Sequence, residues 1–142
     1  MLKFEYKAPD LDSAINGLER WGERIEQLLI DAIEEATLYG EERMIEILES
    51  SVTRTGLERA ARGGHPGRIE TGQMLDDIGV DFQERGGQRI GEWGWLFGLE
   101  DYYLYQEYGA GNIPAMSALQ QSYIGAREML LKRMHDAGFR TE

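Results

Sequence analysis

The chain has no cysteine, which excludes disulfides and thiolate metal sites at once. Its two histidines, His65 and His135, have no second histidine or carboxylate at metal-ligand spacing. Glu128 stands seven residues before His135, and solvation of one helix face accounts for that pair. No stretch approaches the roughly 20 consecutive apolar residues that span a bilayer. The opening residues Met1–Tyr6 lack the apolar segment and small-residue cleavage site of a signal peptide, so a soluble chain outside the usual secretory route is expected. Basic residues are scarce: 15 Lys and Arg stand against 26 Asp and Glu, a net charge of −11. Free binding to nucleic acid needs clustered cations to neutralise phosphates, and this balance argues against it. Gly63-Gly64-His65-Pro66-Gly67 is no phosphate loop, because it lacks a preceding strand and a following Gly-Lys-Ser/Thr. No strained nucleophile motif is present either. The expectation is a non-catalytic protein with no cofactor and no metal.

What is present is enough for a core. At 142 residues, with 42% hydrophobic side chains, the chain suits a single domain over 1–142 that buries roughly 70% of its unfolded surface. Leu2, Phe4 and Tyr6 alternate as a short strand or extended arm, which Pro9 ends. Asp10 and Asp12 then offer capping oxygens. Leu11, Ile15, Leu18, Ile25, Leu29, Ala32, Ala36 and Tyr39 recur every three or four residues, and Met44, Ile45 and Leu48 resume the stripe. This predicts a helix from about Asp12 to about Glu49, bent near Gly40. At 1.5 Å per residue it would run about 55 Å, against about 30 Å for a compact domain of this size. It therefore either breaks, or projects and packs on a neighbour.

Residues 50–70 read as a long loop, locally basic through Arg54, Arg59, Arg62 and Arg68. It is either a solvated loop or an arm that orders against an acidic neighbour. Thr71 is placed to cap a short helix from Gly72 to about Asp77, with Met74, Leu75 and Ile78 inward. Ile78, Val80 and Phe82 alternate as a strand. Arg85-Gly86-Gly87-Gln88 is a hairpin turn, and the return strand carries Trp93, Trp95 and Phe97 on one face. Tyr102, Tyr103, Tyr105 and Tyr108 follow. This aromatic set is either a sheet face packed on helices or an interface between subunits, since Trp and Tyr dominate interface hot spots. A last amphipathic helix runs from about Met116 to Ala137, striped by Leu119, Tyr123, Ala126, Leu130 and Met134, with Gly138 at its end. The predicted fold is α+β: a long N-terminal helix, a short antiparallel sheet with a hairpin, and a C-terminal amphipathic helix packed on the sheet.

Two segments carry a family resemblance. One is Ile69-Glu70-Thr71-Gly72-Gln73-Met74-Leu75-Asp76-Asp77-Ile78; the other is Tyr102-Tyr103-Leu104-Tyr105-Gln106-Glu107-Tyr108-Gly109, followed by Ile113-Pro114-Ala115-Met116 and the last helix. In this order they resemble the neck or tail-completion proteins of siphophages, the minor tail component type. The resemblance covers about Asp12 to Ala137. Met74, Asp77 and Ala110 depart from the family's usual Leu, Ser and Thr, and Met116-Ser117-Ala118-Leu119 reduces its Pro-Phe-Leu segment.

The resemblance implies a virion subunit at the head–tail interface, made in the host cytoplasm, that joins tail to head and lines the DNA channel. It implies a sixfold or twelvefold homo-oligomeric ring. Its neighbours would be head-closure and tail tube or tail terminator proteins, and genomic DNA would pass without specific binding. At the matching positions Thr71 caps, Gly72 permits a tight approach, Leu75 and Ile78 plug the core, Tyr105 and Tyr108 pack on the sheet, Gly109 turns the chain and Pro114 stiffens it. The arginines of the loop with Trp93 and Trp95 are the candidate contact residues. Two alternatives stay open: a tail terminator ring at the same junction, and an acidic binding or inhibitor protein that mimics DNA.

Overall fold

In the computed structural model, the described residues are 11–51, 57–58, 61–63, 72–86, 88–111 and 113–138, with side chains from 15 onward. The Leu2–Tyr6 arm, His65, Thr71, Arg54, Arg59 and Arg68 lie outside them. The elements are α1 (Leu11–Ser50), α2 (Gln73–Asp76), β1 (Ile78–Arg85), β2 (Gln88–Trp95), α3 (Asp101–Tyr108) and α4 (Ala118–Asp136). The architecture is mixed α+β: a long N-terminal helix, an antiparallel hairpin and a C-terminal helix packed with it. No helix among the described residues is long and apolar enough to cross a membrane.

Helix α1 continues through Gly40 as one element. Contact requires a glycine there. Gly40 is buried, and a β-carbon on it would overlap the Trp93 indole. One turn earlier the notch is reversed: a β-carbon on Gly91 of β2 would overlap the Thr37 hydroxyl of α1. Buried Thr37 donates that hydroxyl to the Ile33 carbonyl at 2.7 Å, so its polar atom is satisfied where the strand presses on the helix.

The chain divides at Asp31 into two units, Met1–Asp31 and Ala32–Glu142. In the first, Ile15, Leu18 and Trp21 are exposed. The second holds the core: Met44, Ile47 and Leu48 of α1, Met74 of α2, Ile78 of β1, Tyr103 of α3, and Met116 and Ala118 at the start of α4. Met44 and Leu48 are fully buried, each stabilising the fold by about 1.5–3 kcal/mol relative to exposure.

The hairpin register pairs Ile78 with Trp95, Val80 with Trp93, Phe82 with Gly91 and Arg85 with Gln88. That leaves a two-residue turn, and Gly86 supplies the positive φ (57°) it needs. The return strand ends at Trp95, short of the predicted Phe97. Phe97 instead bonds back through its N–H to the Asp77 carbonyl (3.1 Å), and its ring covers Gly79, where a side chain would overlap it.

Candidate interaction surface

The two segments that carry the family resemblance meet. The Tyr103 hydroxyl donates to Asp77 Oδ2 at 2.5 Å, and Tyr103 is only 2% exposed. Asp77 pushes the Tyr103 phenol up to about 12, chiefly by accepting its proton in a hydrogen bond; burial and the negative charge of Asp77 act in the same direction. The Trp95 ring lies 5.4 Å from Tyr103, and its indole N–H donates to the Met74 carbonyl at 3.1 Å. Thus α2, β2 and α3 are tied at one point.

A second tie joins α3 to α4. Glu107 is 3% exposed, and its carboxylate accepts the backbone N–H groups of Leu119 (3.0 and 3.2 Å) and Gln120 (3.2 Å). These are two of the donors left open at the start of any helix. A Ser at the N-cap position normally supplies such an acceptor. Here Ser117 holds that position in a left-handed conformation (φ 52°, ψ 34°) and makes no side-chain cap bond. A carboxylate from another helix takes its place, with the added attraction of negative charge for a helix N-terminus. Backbone bonds from Met116 N–H to the Gln106 carbonyl (2.8 Å) and from Ser117 N–H to the Glu107 carbonyl (3.1 Å) complete the joint.

Around these ties lies a surface rich in exposed apolar side chains. Leu96, Phe97, Leu99, Tyr102, Leu104, Tyr105 and Tyr108 are all more than a third exposed, as are Tyr123, Ile124 and Met129 on α4. An open cleft of about 900 Å³ lies here, lined by Trp93, Leu96, Glu107, Tyr108, Leu119 and Tyr123 among others. A second cleft of about 450 Å³ runs between the Ile33–Thr37 stretch of α1, β2 and α4. Trp93 and Tyr123, stacked at 6.4 Å between ring centres, stand between the two.

Several expectations are corrected. Tyr105 (52% exposed) and Tyr108 (76%) do not pack on the sheet, because the tyrosine segment is a helix whose inner face is Tyr103, Gln106 and Glu107. The stripe of α4 is rotated: Ala118, Ser122 and Ala126 are buried, whereas Tyr123 faces out. Ser122 goes inward because its hydroxyl has partners on both sides, accepting from the Trp93 indole at 3.0 Å and donating to the Leu119 carbonyl at 2.8 Å. The short helix begins at Gln73, so the N-cap position falls on Gly72 (φ 84°).

Ile78 is buried and Leu75 packs partly against the core. Gly109 ends α3 with φ 81°. Pro114 is exposed, four residues ahead of α4, beyond a bridge between Ala110 and Ile113. Trp93 and Trp95 are half-buried and packed within the second unit, and Arg62 is exposed. Sequence reasoning missed Glu107. The available signal was an acidic residue just before a Gly-containing turn, eleven residues ahead of a helix with no acidic residue in its own first turn. Among the described residues, no three His, Cys, Asp or Glu side chains gather where a metal ion could be held.

No protein-family model matches this sequence, and no curated protein or solved structure matches it.

Proposed function

We propose that this chain is a structural subunit of a siphophage virion, forming a homo-oligomeric ring at the head–tail junction in the neck or tail-completion position. The observation that carries the reading is the bond between Tyr103 and Asp77. It joins the two short motifs on which the resemblance rests, so that they act as one packed unit. Asp77 departs from the family's usual Ser, so the bond supports the joint packing of the two segments and not the match of single residues. The surrounding surface suits the role. Its aromatic side chains Phe97, Tyr102, Tyr105, Tyr108 and Tyr123 are exposed, as a subunit that buries area against neighbours requires. The acidic balance of the chain suits a channel wall past which DNA slides without sticking.

The test is cryo-electron microscopy of particles assembled with a tagged copy of the chain. Tag density in a ring at the neck is the expected result and gives the copy number. Tag-free particles beside abundant free protein would overturn the proposal and favour the acidic binding protein.

A further inference from the structure

The cleft between the Ile33–Thr37 stretch of α1, β2 and α4 is unusual in its charge. It is apolar along Ile33, Ala36, Ile90 and Leu131, and its charged side chains are Arg89 and Arg127, with no carboxylate among the lining residues. The chain as a whole carries −11. Arg89 is partly neutralised by Glu34 (2.8 Å) and Glu84 (3.5 Å), yet its Nε is buried without a partner. Helix α4, which forms one wall, carries three cations (Arg127, Lys132, Arg133) against two carboxylates (Glu128, Asp136), and Arg133 is paired with Glu35 of α1 at 3.2 Å. Every other described helix has more carboxylates than cations. On the outer face of α4, Tyr123 (58%) and Ile124 (50%) are exposed beside Arg127.

The first unit offers the complement. Ile15, Leu18, Gly22, Ile25 and Leu29 follow one another at spacings of three, four, three and four, the narrow seam of a helix that packs on another surface along its length. Ile15 and Leu18 are 44% and 67% exposed. Glu19 and Glu26 flank the seam. Over residues 15–31 four carboxylates (Glu19, Glu23, Glu26, Asp31) stand against two arginines (Arg20, Arg24). Two such seams face to face in antiparallel register would bring Glu19 and Glu26 against their own kind, a like-charge contact that disfavours self-pairing.

We infer that the Ile15–Leu29 seam of one copy docks in the cleft between α1, β2 and α4 of a second copy. An amphipathic helix seats in an apolar groove through anchors at this spacing. The glutamates beside it meet Arg127 and Arg89, the two charged side chains that line the cleft. The contact joins two different surfaces, so the copy that gives its seam keeps its cleft free and the other keeps its seam, and repetition closes a ring or continues as a filament. This inference deepens the ring reading and rests on it for closure.

The absence of cysteine gives a clean background for cross-linking the full-length chain. Leu18→Cys and Ile124→Cys replace exposed side chains, so both variants keep the fold. With a short bismaleimide, the double variant is expected to give a ladder of covalent oligomers, and each single variant to remain uncoupled. Efficient dimers of Leu18→Cys alone would overturn the inference in favour of a seam paired with itself. A double variant that stays monomeric would also overturn it. Arg127→Glu should lower ladder formation about tenfold or more, as like charges then face each other; an unchanged yield would overturn the charge argument. Failure here is distinguishable from failure of the junction reading. A ladder with no tag in particles leaves the docking standing without the junction, and a neck ring without a ladder does the reverse.

Discussion

The Glu107 carboxylate accepts the N–H of Leu119 at 3.0 Å, so the start of one helix is capped by a side chain near the end of another. Both groups belong to a corner that a conventional capping residue leaves open. Glu107→Ala should therefore destabilise the fold by about 2 kcal/mol, and Glu107→Gln, which keeps one acceptor oxygen, by about 1 kcal/mol. Urea denaturation followed by circular dichroism measures both. Equal stability of all three proteins would mean that the cap contributes nothing.

Two glycines of α1 should respond in opposite directions. Gly22 has open space around it, so Gly22→Ala should gain about 1 kcal/mol from helix propensity alone. Gly40→Ala collects the same propensity but drives a methyl group into the Trp93 ring, and overpacking of this kind costs about 1–3 kcal/mol. Thermal melts of the pair give the sign at each site. A stabilised Gly40→Ala would show that β2 can retreat from the helix.

Tyr103 sets a pH dependence. Its phenol is raised to about 12 from an ordinary value near 10, chiefly by its hydrogen bond to Asp77. A group raised on folding contributes its full stability below the unfolded value and loses it as pH rises through the folded one. Tyr103→Phe should thus be less stable than the parent at pH 8, and the gap should narrow between about pH 10 and 12. Denaturant midpoints at pH 8 and pH 11 compare the two. A gap that stays constant would remove Asp77 as the cause.

Tyr108, at 76% exposure, separates fold from assembly. Tyr108→Ser should leave stability within about 0.5 kcal/mol, as for most surface changes. In a ring subunit it should nevertheless lower the yield of tailed particles. Normal particle yield would remove this residue from the contact surface.

Much of the architecture was legible because it follows from periodicity. The stripe from Ile15 to Leu48 has the spacing of a helix, and Gly86-Gly87 between alternating runs has the chemistry of a two-residue turn. Helix α3 was hidden because its inner face is Tyr103, Gln106 and Glu107. Two of those three are polar, so hydrophobic spacing has nothing to register. The same cause rotates α4, where Ser122 is buried in place of Tyr123. Gly40 was read as a weakness in the helix, since its neighbour in space, Trp93, stands 53 positions further along the chain. The surface was least legible of all: exposure of Tyr105 and Tyr108 depends on which way a helix is turned, and its polar inner face settles that only once folded.

Ser117 is the one described non-glycine residue with positive φ, and it stands at the corner between α3 and α4. The backbone bonds of Met116 and Ser117 and the Glu107 cap all cross this corner from α3 to the start of α4. In mechanical terms it is a welded bracket. A pull on α4 is shared among this corner, the Ser122–Trp93 bond to β2 and the Arg133–Glu35 pair to α1, so opening the corner costs several hydrogen bonds together.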